Sequence, residues 1–291
     1  MHTPVLVREV TDLLRPAPGD RAIDATVGLG GHAEQLLSRI LPGGVLLGVD
    51  RDGQALARAA ERLASYGGHF ELVQGDFRRL AALAREAGLG AGDCVLFDLG
   101  LSGLQLESAA RGFSFSAEGP LDMRMDQQQQ TTAQSLLRRS SARELEAIFR
   151  DYGEERYARR IARAIAQRRG ELRTTGDLAR LVERVVPRRE RRIHPATRVF
   201  QALRIAVNDE LGALRQTLDQ LPQWLARGGR VAVISFHSLE DRIVKHALRA
   251  YAGSGEVELL TRKPVRPSQE EVEANPQARS ARLRAAVRRA G

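Results

Sequence analysis

The chain has 291 residues, 43% of them hydrophobic, which is enough for one or two domains with a substantial core. Its net charge of +9 and pI near 10.7 point to a polyanionic partner. A lone cysteine excludes an internal disulfide or a cysteine zinc cluster, and without a signal peptide or a long apolar run a soluble cytoplasmic protein is expected.

Arg21-Ala22-Ile23-Asp24-Ala25-Thr26 reads as a short buried strand. A glycine turn, Val27-Gly28-Leu29-Gly30-Gly31-His32, leads into a segment with apolar residues at 33, 36, 37, 40 and 41, a helical period. Val45 to Asp50 is a second strand ending in a carboxylate. Strand, turn, helix and acidic strand make a nucleotide-cofactor half-site: glycines let the backbone approach the ligand, and Asp50 can accept both ribose hydroxyls. Asp52 reads as a helix cap. Gly28, Gly30 and Ala33 also fit the dinucleotide pattern, so a nicotinamide reading stays open.

Two later strands favour S-adenosylmethionine. Phe70 to Phe77 ends in Asp76 and Phe77, suited to the adenine amine and ring face, and Asp93 to Asp98 again ends in an acid. Parallel strands would put the ligand at their carboxyl ends. Cys94 falls inside this fourth strand and reads as a small core residue. The six histidines show no paired spacing with cysteine or carboxylate ligands, so no metal site is expected.

After Leu106 the pattern turns helical, over 142–149, 154–169 and 177–186, with a long helix from about Ala196 to Leu221. Gln127 to Gln130 reads as a loop. Arg138 to Arg204 holds 19 arginines, no lysine and 9 acids, whereas the rest of the chain holds 26 basic and 27 acidic residues. An overall bias of 43 arginines to 2 lysines weakens any inference from arginine over lysine, but the excess is local. Arg159, Arg160 and Arg163 lie opposite an apolar helical stripe and are expected to contact phosphates. The sheet resumes at Arg230 to Phe236, followed by a helix over 239–250 and a strand over 256–260. Ser268 to Glu271 has the form of a capping box, with a stop at Asn275-Pro276, and 280–289 fits strand or helix alike.

Several stretches closely resemble the bacterial 16S ribosomal RNA methyltransferase H family. They are Asp98-Leu99-Gly100-Leu101-Ser102, Arg111-Gly112-Phe113-Ser114-Phe115, Gly119 to Asp126 (GPLDMRMD), His194 to Arg204 (HPATRVFQALR) and Ile234 to Arg242 (ISFHSLEDR). The opening His2-Thr3-Pro4-Val5-Leu6 and the closing Asn275 to Ser280 match as well, so the likeness spans nearly the whole chain. The resemblance implies methyl transfer from S-adenosylmethionine to N4 of a cytidine in the decoding centre of 16S ribosomal RNA. Free RNA or the small ribosomal subunit would be the partner. It also implies an α/β Rossmann-like methyltransferase core with a doubly wound, mostly parallel sheet, over residues 1–105 and 199–291. An inserted α-helical, arginine-rich recognition domain would fill 106–198.

Carried over by resemblance, the cofactor contacts fall on Gly30, Gly31, His32, Asp50, Phe77, Asp98 and Gln105. His32 has a competing role as a cap of the following helix. The chain departs from the usual family pattern at Gly103 and Glu107. After the fourth strand it also lacks the proline-aromatic loop of many amino-methyltransferases, which leaves the acceptor of the amine proton open among Asp98, Ser102 and Asp122. His237 either lines the base pocket or makes a structural hydrogen bond. A nicotinamide-dependent oxidoreductase and a non-catalytic RNA-binding assembly factor are the alternative classes. Oligomeric state cannot be read from the chain.

Overall fold

A computed structural model describes residues 4–187 and 194–290. Its first half runs α1 (Val7–Leu14), β1 (Arg21–Asp24), α2 (Gly31–Ile40), β2 (Val45–Asp50), α3 (Gly53–Leu63), β3 (Phe70–Gln74), α4 (Leu80–Glu86), β4 (Gly92–Asp98) and α5 (Gly103–Glu107). Next come α6 (Ala133–Arg139), α7 (Ala142–Gly153), α8 (Ala158–Arg168), α9 (Thr175–Val185) and α10 (Ala196–Asn208). The chain closes with α11 (Glu210–Leu218), α12 (Leu221–Trp224), β5 (Leu225–Ser235), α13 (Ser238–Gly253), β6 (Val257–Leu259), α14 (Gln269–Ala274) and β7 (Arg282–Arg288). Two compact units result, Met1–Ser102 with Leu211–Gly291, and Gly103–Glu210. His2 and Thr3 of the opening motif, and residues 188–193 of the arginine-rich stretch, lie outside the described residues.

In the first unit, strand alternation divides apolar side chains between two cores. Ala22, Leu46, Cys94, Leu96, Ala232 and Ile234 face α1, α2 and α3; Ile23, Leu47, Val49, Val95, Phe97, Val231 and Val233 face α4, α11, α12 and α13. Central strands buried on both faces are what a doubly wound sheet demands, and they explain the near-continuous apolar runs. Phe97 is fully buried, edge-on to Phe77 at 5.9 Å and to Trp224 at 5.4 Å.

The strand order is β3-β2-β1-β4-β5-β7-β6, with β1 to β5 parallel and β7 antiparallel to both β5 and β6. Order reverses at β1, which pairs with both β2 and β4, so the crevice that α/β sheets use for ligands opens at the carboxyl ends of these strands. An antiparallel strand between β5 and β6 departs from the all-parallel dinucleotide-binding order. The segment that fitted helix and strand alike is β7, fixed by its ladder with β5 from Arg230–Val287 to Ser235–Arg282.

The second unit is helical among its described residues. Ser141 with Glu144, and Thr174 with Asp177, form reciprocal capping boxes at the starts of α7 and α9. On α8, Ile161, Ala162 and Ile165 are buried while Arg159, Arg160 and Arg163 are exposed.

Three sequence expectations need correction. The long helix from Ala196 to Leu221 is broken at Asp209, whose φ of +46° ends α10. Buried Asn208 secures that end: its amide donates to the Met123 and Arg204 carbonyls and its oxygen accepts from the Met125 N–H. Because α10 packs on α7, residues 199–210 belong to the helical unit, not to the sheet. The capping box at Ser268 is only half formed. Ser268 accepts from the Glu271 N–H, but the Glu271 carboxylate accepts from the Leu6 N–H at 2.7 Å.

Candidate active site

Three strands of the first unit end in carboxylates, Asp24 on β1, Asp50 on β2 and Asp98 on β4. Between β1 and α2 the turn depends on glycine at two positions. Gly28 (φ +50°) and Gly30 (φ +78°) hold left-handed backbone, and a Cβ on Gly30 would press on Ala59 of α3 at 3.3 Å. With Gly30 as N-cap, the N–H groups of Gly31, His32 and Ala33 at the start of α2 have no acceptor among the described residues. Three such groups at the positive end of a helix are suited to a carboxylate.

Asp50 anchors the turn from the opposite strand. One carboxylate oxygen accepts from the Gly28 N–H at 2.8 Å and the other from the Asp52 N–H at 2.9 Å. Each oxygen keeps a second lone pair, as a vicinal diol requires. Burial outweighs both hydrogen bonds and raises the Asp50 carboxyl above the ordinary range. Asp52 caps α3 by accepting from the Gln54 N–H.

His32 is the second residue inside α2, which rules out the capping role. It is 5% exposed, and its Nε2 lies 3.5 Å from Asp98 Oδ2 without hydrogen-bond geometry. Burial lowers the imidazole, but Asp98 and Asp24 together outweigh it and hold His32 above the usual histidine value. Asp24, 1% exposed, is pushed up to about 7, chiefly by burial, against the opposing pull of His32 and the Thr26 N–H. The Thr26 hydroxyl accepts from the Asp98 N–H at 2.6 Å. Asp98 Oδ1 is buried with no hydrogen-bond partner among the described residues. Sequence reasoning missed Asp24 and Thr26 as parts of this cluster. The only signal was the acid at the end of a buried strand.

Ser102 lies beside the same turn, its Cβ 3.9 Å from where a Cβ on Gly28 would stand. At the end of β3, Phe77 begins a short helical turn, with the Arg51 guanidinium 5.6 Å from its ring centre. Asp76, read as suited to the adenine amine, instead binds Arg51 and accepts from the Arg78 N–H at 2.9 Å. His237 caps α13: its Nδ1 accepts from the Glu240 N–H at 3.4 Å, and Glu240 accepts from the Phe236 N–H at 2.8 Å.

The remaining candidates belong to the helical unit. Gln105 is buried on α5. Asp122 is gripped by Arg124 through bonds of 2.8 and 2.7 Å; burial works against ionisation, but this partner holds the carboxyl below its ordinary value. Among the described residues no group of three or more His, Cys, Asp or Glu is arranged to hold a metal ion, and no helix is long and apolar enough to cross a membrane.

The cofactor implied by a methyltransferase with this sheet is S-adenosylmethionine, and the residues present fit it. Buried acids suit a ligand with two cationic centres, the unpaired amides of α2 suit its carboxylate, and the orphaned Asp98 Oδ1 lacks a donor.

Comparison with known proteins agrees with this chemistry. A Ribosomal RNA small subunit methyltransferase H from Cyanothece sp. is 52% identical over 99% of this chain and 95% of its own. One from Trichlorobacter lovleyi is 49% identical over 98% and 97%. Among solved structures, a SAM-dependent O-methyltransferase from Thermotoga maritima aligns with 99% of this chain and 68% of its own, at 11% identity and a TM-score of 0.45. The family model described as the MraW methylase family matches residues 1–289. This chain is a methyltransferase of the α/β Rossmann-like fold and belongs to the MraW methylase family.

Proposed function

We propose that this protein methylates N4 of a cytidine in the decoding centre of 16S ribosomal RNA. What carries this reading is near-complete likeness, at about half identity, to relatives named for the small-subunit ribosomal RNA. Such a substrate would place the work in the cytoplasm.

S-adenosylmethionine supplies an electrophilic methyl group when bound. The chain's own residues hold the two reactants and handle one proton. In this reading Gly30, Gly31 and His32 receive the methionine end, Asp50 the ribose, and Phe77 the adenine; Asp98 is a further cofactor contact of the sheet unit, and Gln105 is the contact assigned to the helical unit. A cytosine amine is a weak nucleophile because its lone pair is delocalised into the ring. The protein's task is therefore alignment and an acceptor for an amine hydrogen rather than strong base catalysis. Asp98 is the first candidate acceptor, its buried Oδ1 having no hydrogen-bond partner among the described residues and its Oδ2 lying 3.5 Å from His32 Nε2. Ser102 follows. Asp122, already engaged by Arg124, is the weakest of the three.

A base inside folded RNA must be turned out of its stack, which also needs a hold on the neighbouring phosphates. The exposed Arg159, Arg160 and Arg163 of α8 are assigned that hold. Mass-spectrometric mapping of methylated cytidine in ribosomal RNA, from cells with and without this protein, tests the reading. Loss of one N4-methyl mark is expected; an unchanged map defeats it.

A further inference from the structure

Helices α7 and α8 pack side by side. Helical spacing brings Arg143, Glu146, Ala147 and Arg150 of α7, together with Arg159 and Arg163 of α8, around one groove of about 480 Å³. Ala142 and Ala147 are its small residues. Arg150 forms an exposed pair with Asp151 at 2.9 Å. Arg143, Arg159 and Arg163 are exposed and have no ion pair among the described residues. Four arginines thus share the groove with a single glutamate. Like charges gathered in this way repel one another in the free protein, and a polyanion relieves that repulsion.

We infer that the α7–α8 groove seats a stretch of sugar–phosphate backbone of the RNA. The inference rests on the ribosomal RNA reading above and extends it to α7. Arg143 and Arg150 are seven residues apart, about 10 Å along a helix. A nucleic-acid strand carries one phosphate per about 3.4 Å of helix axis, so this row spans about three. Guanidinium forks can take phosphate oxygens in pairs, and the small alanines leave room for the backbone to approach. Arg160 does not line the groove.

The test uses the full chain and two probes, purified small ribosomal subunits and a protein-free transcript of the small-subunit RNA. Arg143→Gln/Arg159→Gln/Arg163→Gln is compared with Arg138→Gln/Arg168→Gln/Arg173→Gln, which removes equal charge outside the groove. Affinity is measured between about 50 and 200 mM salt. The groove variant is expected to flatten the log–log salt slope by about two to three for both probes, the control by less than about one. Glu146→Gln is expected to tighten binding about two- to fivefold. Thermal unfolding and cofactor affinity, unchanged in all three, exclude misfolding. Equal flattening by both triple variants, or an unchanged slope, overturns the groove assignment while leaving the substrate reading intact. Flattening with subunits but not with naked transcript overturns it in favour of an acidic ribosomal protein. Failure of the unaltered chain to bind either probe defeats the substrate reading itself.

Discussion

In the sheet unit the charges that matter are buried and shifted: Asp24 is pushed up to about 7, and His32 and Asp50 are both raised. In the helical unit the arginines of α7 and α8 stand in solvent, and several have no acidic partner among the described residues. By count, residues 103–210 hold 21 arginines against 15 acids, and the remainder 24 basic against 21 acidic residues. The remainder is therefore not electroneutral, as the division at Arg138 and Arg204 suggested. The two units differ less in net charge than in where the charge is kept. Buried charge can hold a small ion by fixed geometry; exposed charge can hold only a polymer, and only in a salt-dependent way.

The comparison breaks most readily at Asp50. Asp50→Ala removes two hydrogen bonds to a charged acceptor, each worth about 1.5–3 kcal/mol gross. S-adenosylmethionine affinity, read by calorimetry, is expected to fall at least about tenfold in a folded protein. Unchanged binding would mean that the β2 carboxylate serves only the Gly28 turn.

Burial of Asp24 has a consequence for pH. Its folded value lies above the ordinary one, so the stability it lends is complete below the ordinary carboxylate range and is lost as pH rises through about 7. His32, also raised, loses its contribution in the same direction. Asp24→Asn is expected to stabilise the chain by about 1–3 kcal/mol at pH 8 and by less at pH 5, in denaturant titrations. An equal gain at both pH values would count against a titrating Asp24.

Smaller effects refine the contrast. Ser102→Ala should slow single-turnover methyl transfer about tenfold at unchanged cofactor affinity; a full rate strikes Ser102 from the acceptors. Asp122→Ala takes the carboxylate from Arg124, which keeps only the Gln127 and Gln129 carbonyls, so its first effect is on stability rather than rate. Smallest is Glu271→Ala, which leaves the Leu6 N–H without its acceptor and is expected to cost about 1 kcal/mol in thermal unfolding. An unaltered unfolding curve would mean that water replaces the carboxylate.

Much of the sheet unit was legible because its strands are apolar on both faces and end in acids or glycine turns, signals written in adjacent residues. Asp50 and the Gly28–His32 turn were readable for that reason. Features set by distant partners were not. Arginine and apolar residues in 282–288 suit two periods, and only the ladder with β5 decides between them. The break at Asp209 follows from what Asn208 bonds across the unit, which no local pattern records. Asp76 and Arg51 looked independent until β2 and β3 brought them together. Periodicity likewise found the arginines of α8 but not those of α7, because a groove belongs to two helices at once.

The helical unit interrupts the sheet in the sequence, between β4 and β5. During synthesis every residue of that unit leaves the ribosome before the strand that covers the open side of β4. Until Arg230 to Ile234 emerge to pair with Cys94 to Asp98, β4 has a neighbour on one side only. A nascent or prematurely ended chain would therefore present an apolar strand edge holding Val95 and Phe97, a surface that invites association with other chains. The inserted unit, made of sequence-local helices, can fold while that edge waits.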